Sequence, residues 1–238
     1  MRVSLFGRML PPAAALLLAG CIGVRPSEPR EETQNVALGN AERANVRIEM
    51  KAGELRVFGG ASDLLQAKFR YDERWKPEVR YDVSGFRGNL TVRQPNSGIS
   101  IGPRSDFQHE WNLQLSNDVP MDLDVSLGAG RSELDLRGML LRQLEVRLGA
   151  GELELDLTGS WKKSFEAKIR GGVGRATVRL PRDIGVQARA RGGIGEIKAH
   201  GFHRDGHTYT NEAFDKSPVT LRVDIEGGIG EIRLELAD

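Results

Sequence analysis

The stretch that decides the fold is LEVRLGAGELELDL, residues 144–157. Leu144, Val146 and Leu148 lie before its glycines and Leu153, Leu155 and Leu157 after them, every second residue. Glu145, Arg147, Glu152, Glu154 and Asp156 take the alternate places. A period of two, with one apolar and one charged face, belongs to a half-buried β-strand. Gly-Ala-Gly interrupts the pattern, and glycine accepts positive φ and close backbone approach. The unit therefore reads as strand, tight bend, strand.

The same unit recurs as LGAGRSELDL (127–136), RGGVGRATVRL (170–180), RGGIGEIKAH (191–200) and EGGIGEIRLE (226–235). The last glycines of these five copies, Gly130, Gly151, Gly174, Gly195 and Gly230, are spaced 21, 23, 21 and 35. The final interval is one period of 21 plus an insertion of 14. More degenerate copies stand at MKAGELRVF (50–58), centred on Gly53, and SGFRGNLTV (84–92), centred on Gly88. One such unit cannot bury its apolar face alone, whereas stacked units share a continuous core. The fold class is all-β with no substantial helix: an elongated β-solenoid or stacked sandwich of strand-GxG-strand repeats about 21 residues long. Turns are expected at Gly85-Phe86, Asn96-Ser97-Gly98 and Pro181–Gly185.

The composition excludes several function classes. In 238 residues, 39% are hydrophobic, 28% are charged and the mean hydropathy is −0.38, which is not a membrane bundle. Basic and acidic residues number 34 and 33, without the basic excess of a nucleic-acid binder. One cysteine allows no intrachain disulfide.

That cysteine has a particular setting. Arg2 and Arg8 precede an apolar stretch from Met9 to Ala19, too short to span a bilayer and shaped like an export signal. Leu18-Ala19-Gly20-Cys21 resembles the lipobox of bacterial lipoproteins. The resemblance implies that residues 1–20 are a signal peptide, that cleavage follows Gly20, and that Cys21 becomes an acylated N-terminus. Each buried methylene contributes about 0.8 kcal/mol, so two or three acyl chains hold a protein at a membrane. Without residues 1–20 the balance is 32 basic to 33 acidic residues, a formal charge of −1. Ile22, not Asp, follows the cysteine, which in a Gram-negative source favours the periplasmic face of the outer membrane. Residues 22–44 are polar, contain Pro26 and Pro29, and lack apolar alternation; with Cys21 they are expected to form a flexible tether over 21–44.

From Ala44 to Pro95 the chain resembles the N-terminal domain of the bacterial toast-rack proteins, through NVRIEMKAGELRVFGGASDLLQAKFRYD, WKPEVRYDVSG and GNLTVRQP. From Met121 to Asp238 it is similar to the adhesin-like and LiaF-like β-repeat domain, including GxxYTN (206–211) followed by KSPVTLRVDIEGGIGEIRLEL. The resemblance implies a toast-rack stack in two continuous parts, 45–118 and 119–238. It also implies an envelope location, no known catalytic activity, no cofactor and no active-site residues to carry over. The LiaF-like link to envelope stress signalling attaches to proteins with transmembrane helices, a feature this sequence lacks.

Candidate sites are few. The glycine motifs are followed by strands, not by the helix of a phosphate loop, and have no Gly-Lys-Ser/Thr. Calcium-binding solenoids use GGxGxD at nine residues, unlike GGIGEI at about 21. His200, His203 and His207 cluster at the insertion 201–218 and are weak candidates for a metal; a solvated loop is the simpler reading. Tyr209 and Asn211 are expected to anchor that loop, the ring covering the core edge and the amide satisfying turn backbone. If rungs stack in register, Arg147, Arg170 and Arg191 form three successive arginines, a like-charged ladder that suits an anionic envelope polymer or lipid, unless diagonal carboxylates such as Glu152 quench it. The positions after the glycines, Arg131, Glu152, Arg175, Glu196 and Glu231, mostly alternate in sign. No Ser-His-Asp set or cysteine nucleophile is present, and an enzyme is not expected. The reading is a non-enzymatic, lipid-anchored envelope protein that presents a β-repeat surface for binding or adhesion. Its partners are the membrane, through the N-terminal lipid, and an envelope protein or anionic envelope polymer, not nucleic acid. An accessory sensor in envelope stress signalling and a metal- or small-ligand-binding lipoprotein are the alternatives.

Overall fold

The computed structural model describes residues 29–95 and 109–237. The segment 1–20 with Gly20, the lipidation candidate Cys21 and the expected turn Asn96-Ser97-Gly98 lie outside the described residues. The strands are β1 (Arg30–Val36), β2 (Arg43–Gly59), β3 (Leu65–Tyr71), β4 (Glu78–Ser84), β5 (Arg87–Arg93), β6 (Glu110–Leu115) and β7 (Met121–Asp135). They continue as β8 (Leu141–Asp156), β9 (Phe165–Pro181), β10 (Gly185–His200), β11 (His203–Asp205), β12 (Thr208–Thr210) and β13 (Thr220–Ala237). Among the described residues, a 3-10 turn at Glu73–Trp75 is the sole helical piece. The protein is an elongated all-β stack, as the glycine-punctuated alternation requires.

The long strands β2, β7, β8, β9, β13 and β10 run parallel in that spatial order. Each bends at one glycine, and these glycines, Gly53, Gly130, Gly151, Gly174, Gly230 and Gly195, meet in one register line. Along that line φ lies between +131° and +143°, a region open to glycine and costly for other residues. The bend divides every long strand into two arms. Alternate residues of the first arm, such as Leu144, Val146 and Leu148, and of the second, such as Leu153, Leu155 and Leu157, are buried in a single apolar cluster. The sheet is thus folded along its glycine line with its apolar faces together.

β5 and β4 extend the first arms beyond β2, while β6, β3 and β1 extend the second. At the other end β12 and β11 extend the first arm of β10. β2 pairs with β7 from Ala44–Met121 to Phe58–Asp135, so the parts 45–118 and 119–238 share one sheet and one core.

Three expectations are corrected. The tether does not reach residue 44, because β1 pairs antiparallel with β3 from Arg30–Tyr71 to Val36–Leu65. Its side chains facing the fold include Glu32 and Gln34, whose polarity hid the alternation; Glu32 accepts hydrogen bonds from Tyr71 (2.6 Å) and Gln34 (2.8 Å) and pairs with Lys76 (3.1 Å). Gly88 is not a rung corner: it sits within β5 of the β4–β5 hairpin, where an added Cβ would meet the Tyr81 ring. The rungs also do not stack in chain order, since β13 fills the place between β9 and β10. The insertion 201–218 carries the chain past β10 through β11 and β12 before β13 returns.

Candidate binding surfaces of the stack

The strand order rewrites the arginine ladder. The positions preceding the corner read Glu49, Ser126, Arg147, Arg170, Glu226 and Arg191 across the sheet. Glu226 therefore separates two of the three arginines and contacts both, at 3.4 Å from Arg170 and 3.0 Å from Arg191. Glu145 serves Arg170 (3.1 Å) and Arg147 (2.7 Å), and Asp124 accepts a further hydrogen bond from Arg147 at 2.6 Å. The uninterrupted cationic row inferred from chain order is thus absent from the described residues, because β13 brings an acid into it. The second ladder runs Glu54, Arg131, Glu152, Arg175, Glu231 and Glu196, alternating until the last step. Lys198 compensates there, 2.7 Å from Glu231 and 3.2 Å from Glu196. Hydrogen bonds from Lys198 and Arg233 hold the Glu231 carboxyl at about 2, well below its ordinary value. Each exposed pair contributes a few tenths of a kcal/mol, so the ladders mainly align rungs.

The insertion is anchored by its two candidate residues. Tyr209 is buried under Arg204, whose guanidinium lies 5.6 Å from the ring centre. Asn211 is buried, donates to the carbonyls of Ile184 (2.7 Å), Arg182 (3.3 Å) and Pro181 (3.4 Å), and accepts from the Val186 amide (2.9 Å). One amide thereby satisfies the turn between β9 and β10. The histidines are distributed differently: His200 ends β10, His203 begins β11 and His207 lies in the β11–β12 turn. Among the described residues no three His, Cys, Asp or Glu side chains gather as a metal site.

The corner holds a feature that the sequence reading passed over. Its apex residues are Ala52, Ala129, Ala150, Val173, Ile229 and Ile194 in spatial order. The last three are 53%, 53% and 71% exposed and lie side by side, an apolar ridge on the final rungs. Behind it Gly171, Gly227 and Gly192 stand where earlier rungs bury Met50, Leu127 and Leu148. The groove they leave, floored by Ala176, Ile197 and Ile232, measures about 40 Å³, too small for an ordinary ligand. The signal was present as a β-branched residue in each GGxG, but a β-branched residue in a strand reads as ordinary strand chemistry.

Comparison with known proteins gives a strong structural match. The solved structure of a "putative cell adhesion protein" from Clostridium sporogenes is 32% identical, with a TM-score of 0.82 over 88% of this chain and 100% of that one. A "putative adhesin" from Bacteroides fragilis is 10% identical, covers 88% of this chain and 98% of its own, and aligns with a TM-score of only 0.37. No curated protein matches. The family model described as the "N-terminal domain of toast_rack, DUF2154" matches residues 25–179, spanning β1 through most of β9. The chain belongs to the toast-rack family.

Proposed function

We propose that this protein is a non-enzymatic, lipid-anchored component of the bacterial envelope whose β stack presents a rigid surface to another envelope protein in an adhesion-type role. The observation that carries this reading is the apolar ridge of Val173, Ile229 and Ile194, exposed on rungs whose charged side chains flanking the corner pair with one another in ladders. Contiguous exposed apolar residues on a charged surface mark a contact site more often than chance. The name of the Clostridium sporogenes relative, a "putative cell adhesion protein", agrees with an adhesion-type role. The perturbed carboxylates also fit a structural part. Glu78 and Asp135 are held below their ordinary values chiefly by hydrogen bonds from Arg93, on the adjacent strand, and from Arg137, in the turn after β7.

The lipid at Cys21 and the periplasmic face of an outer membrane complete the proposal. A photo-cross-linking residue at Ile229 in living cells should capture an envelope protein that the same probe at Arg142, on an early rung, does not. Equal capture at both positions, or none at Ile229, rejects the ridge as the contact. Palmitate should label the wild-type chain and not Cys21→Ala; labelling that survives the substitution rejects the anchor.

A further inference from the structure

The β4–β5 hairpin ends in a tip that neither the core nor the ladders use. Gly85 turns the chain with φ of +60°, and Phe86 behind it is 65% exposed, with Val83 on the same hairpin also exposed. The Phe86 carbonyl accepts the Glu42 amide at 2.9 Å, which pins the tip to the start of β2. There Arg43 and Arg87 are direct cross-strand partners, both exposed, and no ion pair to either is found among the described residues. Like charges placed opposite each other repel and call for an anion. Of the nearby acids, Asp82 accepts from the Asn89 side chain at 3.0 Å, and Glu42 is exposed beside the pair.

An exposed aromatic ring beside uncompensated guanidinium groups suits a membrane interface. The ring seats at headgroup depth and the arginines take phosphate oxygens. The strand β1 supplies the second argument. From Cys21 to the start of β1 at Arg30 the chain can span at most about 30 Å, whereas a tether running to residue 44 would reach about 80 Å. Both β1 and β4 lie at the same end of the stack, so a lipid at Cys21 keeps the Phe86 tip within reach of the bilayer.

We infer that Phe86, Arg43 and Arg87 dock on the anionic phospholipid surface of the membrane that anchors the chain, with the β10 end of the stack pointing away. This rests on the lipid-anchor reading, and the test separates the two. Mature protein carrying Val83→Cys, Phe86 retained, is purified from membranes and labelled with an environment-sensitive dye. Acylation leaves the introduced thiol as the one that reacts; two dyes per chain would refute the anchor and the docking with it. In singly labelled protein reconstituted into phosphatidylglycerol–phosphatidylcholine vesicles, the dye should shift to the blue and be quenched by spin-labelled lipid. A dye at Ile194→Cys should stay water-like. Phe86→Ser, and Arg43→Ser with Arg87→Ser, should each weaken the contact, the arginines by about fivefold apiece, and vesicles of phosphatidylcholine alone should do the same. A Val83→Cys dye no more quenched than the Ile194→Cys dye overturns docking while leaving the anchor intact. Equal quenching in charged and uncharged vesicles, or a blue shift that requires added envelope protein, also overturns it.

Discussion

Gly174→Ala should remove a large share of the protein's stability, whereas Gly171→Ala, three residues away on the same strand, should not harm it. Gly174 has φ of +138°, and an added Cβ would press into the carbonyl of Gly151 on the neighbouring rung, 2.8 Å from its carbon and 3.1 Å from the Gly151 nitrogen. These are backbone atoms in a paired ladder and cannot rotate away. Forcing the backbone conformation costs about 1–3 kcal/mol. Separating the rungs costs about 1–3 kcal/mol more by the measure of overpacked cores. The sum, about 2–6 kcal/mol, is a large share of the 5–15 kcal/mol that typically holds a domain folded. At Gly171 an added Cβ meets nothing within 4 Å, at the position where Leu148 and Leu127 stand in earlier rungs. Alanine there should be neutral or stabilising by about 0.4–1 kcal/mol, through a less disordered unfolded chain. Urea unfolding followed by far-ultraviolet circular dichroism measures both. A Gly174→Ala loss under about 1 kcal/mol, or an equal loss from Gly171→Ala, would refute the corner-contact reasoning.

Asn211→Ala should cost about 2–4 kcal/mol, because three carbonyls and one amide around the β9–β10 turn lose a buried partner. Faster amide exchange confined to residues near Val186 is the signature, and unchanged exchange there argues against it. Glu226→Gln should change stability by less than about 1 kcal/mol, since its pairs are exposed, yet it should increase retention on a sulfated-dextran column by removing the acid shared by Arg170 and Arg191, which keep Glu145 and Asp224. Unaltered retention would mean that Glu226 does not neutralise the row. Glu32 is held at about 2, first by the Tyr71 hydroxyl and then by Gln34 and Lys76, while burial and Glu32 push the Tyr71 hydroxyl up to about 12. A carboxyl whose folded value lies below its unfolded 4.5 contributes stability that is complete above 4.5 and is lost as pH falls toward 2. Glu32→Gln should therefore flatten the acid dependence of the urea midpoint across that window; an undiminished slope would assign it to other groups.

The sequence displayed what repeats and hid what occurs once. Alternation around Gly151 is legible because every copy needs the same glycine corner and the same buried Leu positions. The place of β13 is not, because the repeat motif of residues 226–235 fits either side of β10 equally well. Only the β11–β12 detour, with Tyr209 and Asn211 seated against β10 and its preceding turn, decides that the chain returns between β9 and β10. The arginine ladder failed for this reason alone: its register was right, and its order was taken from the chain. β1 was missed for another reason. A strand whose inward side chains are Glu32 and Gln34 reads as polar linker until Tyr71 and Lys76 are seen to pair with them. Phe86 was visible only as a turn residue, since exposure is a property of what fails to cover a side chain.

A stack of parallel rungs fixes distance as well as shape. From β4 to β10 the first-arm order is β4, β5, β2, β7, β8, β9, β13, β10, and with strands about 4.8 Å apart the two ends stand roughly 34 Å from each other. The glycine line and the charge ladders hold that spacing in register, so it does not vary as a linker would. Docked on lipid through Phe86, Arg43 and Arg87, at β5 and β2, the stack would place the ridge of Val173, Ile229 and Ile194 on β9, β13 and β10, three to six strand spacings or roughly 14–29 Å further along it. A partner must then present its own apolar contact at a matching height, which favours proteins standing in the same membrane over molecules far from it. The taper along the apex, alanine on the early rungs and valine then isoleucine on the last three, keeps the early rungs small and closely packed, and would set the proposed contact where such a partner can reach it.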